Sequence, residues 1–137
     1  MTRINVVPVQ WLSRKHLVAE YREIVRVFAL VRNANDSGRL ESIKIPENYT
    51  LGTGHVKFFY DKLTWVTDRY IELVDQMTSR GYMTNPVPIK DLLEGIPVQN
   101  MGHYKPSKRD MKINLERLID RNTDSSHTVY ELKIACL

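Results

Sequence analysis

Ser13-Arg14-Lys15-His16-Leu17-Val18-Ala19-Glu20-Tyr21-Arg22-Glu23-Ile24-Val25-Arg26-Val27-Phe28-Ala29-Leu30-Val31-Arg32 decides the fold class. Its apolar residues Leu17, Tyr21, Ile24, Phe28 and Val31 recur in steps of three and four, which puts them on one helical face. His16, Glu23, Arg26 and Val27 fall opposite, with Arg22 at the edge, and Ser13 is placed to cap the first turn. Upstream, residues 1–12 read as a short arm, because Pro8 argues against a helix through it. Downstream, Asn33–Gly38 is a polar loop and residues 39–54 are irregular, broken by Pro46 and the Gly52-Thr53-Gly54 turn.

A second long helix is predicted from about His55 or Val56 to Arg80, with Phe59, Leu63, Val66, Tyr70, Leu73, Val74 and Met77 as its apolar side and Gly81 as its stop. Ile89–Glu94 can form one helical turn after Pro86 and Pro88, and residues 95–106 form a loop. A third long helix begins near Ser107, where Ser107 and Asp110 have the spacing of a capping box. Met111, Leu115, Leu118 and Ile119 form its apolar stripe. In the tail, Val129–Ile134 fits either an extended or a helical segment. Three amphipathic helices with little strand signal predict an all-α fold: one compact domain over residues 1–137, with long irregular connections. The stripes holding Tyr21, Phe28, Phe59 and Tyr70, and the side chains of Trp11 and Trp65, read as core.

The 137 residues include 20 Lys and Arg against 16 Asp and Glu, a formal net charge of +4. The whole excess sits in residues 1–39, which carry Arg3, Arg14, Lys15, Arg22, Arg26, Arg32 and Arg39 against Glu20, Glu23 and Asp36. Six of those seven cations are arginine, the better bidentate partner for phosphate. A concentrated basic patch fits a polyanion such as nucleic acid, or simply a solvated face. No apolar run reaches membrane-spanning length, and a single cysteine, Cys136, excludes an internal disulfide.

The sequence has no phosphate-cradling glycine loop. His16, His55, His103 and His127 are scattered, so no metal site is expected, and no cofactor. His16 and Glu20 have the spacing of a surface helix pair. Glu23, between Arg22 and Arg26, reads on composition as a surface ion-pair cluster. If the basic arm faces nucleic acid, a carboxylate beside it repels phosphate, and acid–base work is a task that would account for its place there.

The segments Met1–Asn5, His16–Glu23 and Arg26–Phe28, and then Leu51-Gly52-Thr53-Gly54-His55-Val56-Lys57-Phe58-Phe59-Tyr60-Asp61-Lys62-Leu63, resemble the pyrimidine-dimer DNA glycosylases, the endonuclease V type enzymes of T-even phages. Weaker matches at Ile71–Leu73, Arg80–Tyr82, Ile96-Pro97, Gly102–Tyr104 and Arg117-Leu118 extend the likeness over roughly residues 1–121.

The resemblance implies a glycosylase with lyase activity at abasic sites, acting on double-stranded DNA that carries ultraviolet lesions. It implies that Met1 is removed and that the α-amine of Thr2 attacks the sugar, forming a Schiff base that breaks by β-elimination. Glu23 corresponds to the essential carboxylate, and Arg3, Arg22, Arg26 and Arg117 to DNA contacts. His16 lies where the family places a residue near the sugar, and Arg121 keeps a positive charge at a further contact. A free α-amine has a pKa near 8, far closer to working pH than a lysine, and neighbouring cations lower it. The family's phage prototype has an aromatic run near its C-terminus; here Ser125–Leu132 holds only Tyr130. The expected enzyme is monomeric and cytoplasmic, in the host cytoplasm or nucleoid if phage-encoded. Two other readings stay open: a lyase preferring abasic sites or oxidised purines, and a DNA-binding module without chemistry.

Overall fold

A computed structural model describes residues 3–120 and 127–137. Among them the chain is all-helical: α1 Arg14–Glu23, α2 Arg26–Asp36, α3 Leu63–Ser79, α4 Ile89–Leu93, α5 Lys108–Asp120 and α6 His127–Cys136. α1 packs on α3, and α5 on α6. No described helix is long and apolar enough to cross a membrane.

The first predicted helix is two. The Ile24 amide still reaches Glu20 O at 2.9 Å, but the Val27 amide bonds Ile24 O at 3.2 Å, three residues back rather than four. Ile24 and Val25 keep right-handed helical dihedrals, so the interruption lies in the hydrogen-bond ladder. Passing it shifts the phase of the helix. Val27, which a continuous wheel puts on the polar face, is completely buried beside Phe28 and Val31. The helix also runs on to Asp36, through residues expected to be loop.

The second helix starts later than its pattern implied. Lys57–Phe59 form a 3-10 turn that carries Phe58 and Phe59 into an aromatic cluster with Tyr49, Trp65 and Tyr104. α3 begins only at Leu63, and Gly81 ends it at φ 83°, with the Tyr82 amide returning to Met77 O at 2.9 Å. The Ser107 and Asp110 box forms as read: Asp110 N–H donates to Ser107 Oγ at 3.0 Å and Ser107 N–H to Asp110 Oδ2 at 3.2 Å. The tail is helical over His127–Cys136 and inserts Tyr130, which has no exposed surface, into the core.

Gly102 closes the start of α3. Its carbonyl accepts the Thr64 and Trp65 amides at 3.1 and 3.3 Å, and its own amide bonds Asp61 O at 3.1 Å. A Cβ there would sit 2.1 Å from Asp61 O, a backbone atom that cannot swing aside. Gly102→Ala should therefore cost about 3 kcal/mol, the upper part of the range for forced overpacking. A chemical melt of the two proteins checks it.

Residues 3–8 of the arm are not helical, and most of them are buried. Ile4, Asn5, Val6 and Val7 are all 3% exposed or less, yet among the described residues no strand pairs with them. Buried backbone must find partners. Here they are side chains: His55 for the Ile4 amide, Asn114 for the amides of Val6 and Val7, and Arg69 for the carbonyl of Val7.

Candidate active site

Arg3 leaves the buried arm at the C-terminal end of α1, where its amide donates to Glu23 Oε2 at 3.2 Å. Glu23 is half-buried there, next to the fully buried Ile24. A cavity of about 140 Å³ opens beside it, lined by Arg3, Asn5, His16, Ala19, Glu20, Glu23 and Leu118. That volume holds a few water molecules or part of a sugar, not a whole nucleotide.

The floor of the cavity is a buried polar network. Glu20, 1% exposed, accepts Arg69 Nε at 2.8 Å, Arg69 Nη2 at 3.0 Å and Asn5 Nδ2 at 2.8 Å. Asn114 Nδ2 in turn donates to Asn5 Oδ1 at 2.7 Å. Glu20 thus binds the arm to α3 through Arg69. The expected surface pair with His16 does not describe it: His16 is buried too, and its Nδ1 lies 2.7 Å from the Tyr130 hydroxyl.

That hydroxyl oxygen also accepts the Ser13 amide at 2.9 Å, and Ser13 Oγ lies 3.2 Å from the same ring nitrogen. Tyr130 thereby fixes the orientation of a histidine that lines the cavity, a role its place in a polar tail did not reveal.

His55 holds the arm from the opposite side. Nε2 accepts the Ile4 amide at 3.0 Å and Nδ1 donates to Thr50 O at 2.8 Å. The turn that carries the ring needs glycine twice: Gly52 and Gly54 have φ of 67° and 91°. Burial lowers the His55 pKa below its ordinary 6.5, Arg3 and Arg117 lower it further, and the Thr50 bond opposes them in part. Tyr49, packed edge-on to His55, has its phenol pushed up first by burial and then by the Glu20 carboxylate.

Outside the cavity the surface is basic. A wider groove of about 490 Å³, lined by Arg14, Lys15, Val18, Ala19 and Arg22, runs along α1 and shares Ala19 with the cavity. Arg22 and Arg26 are exposed. Arg117 sits on α5, one residue from the cavity-lining Leu118, and its buried Nε has no hydrogen-bond partner among the described residues. The structure thus brings together Arg3, His16 and Glu23, sets Arg22 on the adjoining groove, and places Arg26 at the start of α2. Thr2 and Arg121 lie outside the described residues.

An all-α fold that anchors an extended front arm beside a carboxylate, under a groove of arginines, defines a protein shaped to face a polyanion. The family model described as pyrimidine dimer DNA glycosylase matches residues 1–89, and the chain belongs to that family. Its substrate is accordingly DNA.

Proposed function

We propose that this glycosylase excises ultraviolet-induced cyclobutane pyrimidine dimers from duplex DNA and then cleaves the strand as a lyase, with the α-amine of Thr2 as nucleophile once Met1 has been removed. One observation carries the reading: the Arg3 amide is bonded to Glu23. Residue 2 is joined to that same nitrogen, so its amine belongs within a short reach of the carboxylate.

The neutral amine attacks C1′ of a dimer nucleotide, the glycosidic bond breaks, and the pyrimidine keeps the electron pair and takes a proton while staying joined to its neighbour through the cyclobutane ring. Loss of a proton from nitrogen and ring opening leave an imine between the amine and C1′. Removal of a C2′ proton then expels the 3′ phosphate, and water hydrolyses the imine to free the enzyme. Glu23 moves protons in these steps and stabilises the cationic sugar. His16, held by Tyr130, lines the cavity where the sugar is to sit. The duplex must kink and unstack for the sugar to reach the cavity, at a cost of a few kcal/mol, which a poorly stacked dimer reduces. The protein works as a monomer.

Arg22 and Arg26, with Arg3, Arg117 and Arg121, grip phosphates. Such contacts position the duplex without reading sequence. Arg26→Gln should therefore weaken binding on every duplex alike and reduce the slope of log K against log salt by about 0.9, one phosphate contact. An unchanged slope in a salt titration removes Arg26 from the contacts. The reading as a whole is tested by comparing turnover on dimer-containing and abasic duplexes. We expect both to be cleaved, with scission of the glycosidic bond preceding strand cleavage on the dimer. Cleavage of the abasic duplex alone would restrict the enzyme to a lyase.

A further inference from the structure

We propose that His55, as a neutral hydrogen-bond acceptor for the Ile4 amide, is a positioning residue that sets the reach of the chain's front toward Glu23 and releases it on taking up a proton. The proposal rests on the reading of residue 2 as nucleophile and adds to it a latch in the loop between α2 and α3.

The protonation state follows from the partners. Thr50 O can only accept and the Ile4 amide can only donate, so the ring must carry its proton on Nδ1 and a lone pair on Nε2. The ring is 3% exposed and held edge-on between Tyr49 and Phe59 at centroid distances of 5.6 and 5.7 Å. It has no room to turn away. A second proton would set an Nε2–H against the Ile4 N–H, two buried donors with nothing between them to accept. Ile4 is wholly buried and adjoins Arg3, so a displacement at Ile4 passes directly to the amide that Glu23 holds.

The charged groups around the ring favour this state. Arg3 and Arg117 both act against an imidazolium, and Tyr49 is the titratable neighbour in contact with it. Glu20, Asp110 and Arg69 act on Tyr49 behind it. The sign is then fixed. The His55 pKa lies below 6.5 in the fold, so the unfolded chain takes up this proton first as pH falls. The latch contributes its full stability above that value and loses it below, toward the folded pKa. Cleavage by the folded enzyme should fade only as pH falls through the folded His55 pKa itself, which lies below 6.5, for want of a positioned amine.

Two variants separate positioning from simple packing. His55→Phe keeps the ring contacts and removes the acceptor. His55→Gln keeps a carbonyl acceptor that does not titrate. On an abasic duplex from pH 5 to 8, we expect His55→Phe to lower kcat by about 10- to 100-fold, the cost of misplacing a reacting group by a fraction of an ångström to 1 Å, with KM moved less than about threefold. His55→Gln should recover most of that loss and show a shallower acid limb than the unaltered enzyme. Wild-type turnover by His55→Phe, or superimposable pH profiles for His55→Gln and the parent, overturns the proposal. If His55→Phe fails to fold, the comparison with His55→Gln decides. The Ile4 amide proton shift in the parent enzyme, followed by NMR, should titrate below pH 6.5 and stay flat in His55→Gln; a flat parent curve also overturns the proposal. The NMR titration needs no turnover. If the parent neither cleaves nor forms an imine, the functional reading fails while the latch is still tested.

Discussion

Replacing Glu23 with glutamine should leave duplex affinity unchanged or slightly higher and reduce strand cleavage by roughly 10²- to 10⁴-fold, the usual worth of a positioned acid–base group. The substitution separates charge from scaffold. Glutamine retains a side-chain oxygen able to accept the Arg3 amide, so the 3.2 Å contact that ends the arm can persist. What disappears is the negative charge and the ability to hold a proton. A carboxylate under a groove of Arg14, Lys15 and Arg22 opposes phosphate binding, so its removal should not weaken the complex. Fluorescence anisotropy and single-turnover cleavage on one duplex check both halves. Parallel loss of binding and cleavage would make Glu23 part of the scaffold.

Arg69→Leu should cost about 3–5 kcal/mol, because it leaves Glu20 buried with its charge uncompensated. Neither partner reaches water: Arg69 is 4% exposed and Glu20 1%. The guanidinium also supplies the partner of the Val7 carbonyl, which would be orphaned together with the carboxylate. For a chain of this size the loss corresponds to a melting point lower by roughly 10–20 °C. The double variant Glu20→Leu with Arg69→Leu should regain part of it, since removing both charges removes the desolvation penalty. The recovery stays incomplete because Asn5 Nδ2 and Val7 O still lose their partners. Calorimetry on the single and double variants measures the difference. A single variant that melts within about 3 °C of the parent would show that the pair does not hold the arm.

The helices were legible because their evidence is local. Apolar residues at helical spacing, the Ser107 and Asp110 box and the glycine at 81 each act within a few residues of themselves. The break between Glu23 and Arg26 was not, because no proline or glycine marks it and its dihedrals remain helical. The tail helix was ambiguous because Tyr130 alone among its described residues is buried, too little for a period to show.

The site divides in the same way. Arg3, His16, Arg22 and Glu23 stood out through charge and resemblance. The residues that hold the arm did not, because Glu20, His55, Arg69 and Asn114 each meet it from 15 to 109 positions away. Glu20 was misread for a physical reason. Four residues after His16 it has the spacing of a surface pair, and only the burial of the arm against α1 turns it inward. His55 had one signal available. A Gly-x-Gly turn immediately before a histidine is a means of aiming a ring inward.

The most direct measurement is to reduce the enzyme–abasic duplex complex with borohydride and locate the adduct by peptide mass spectrometry. A chain beginning at Thr2 should carry the sugar on its first nitrogen, and acetylating that nitrogen beforehand should abolish the adduct. An adduct that survives acetylation, or one that maps to a lysine side chain, would contradict the account.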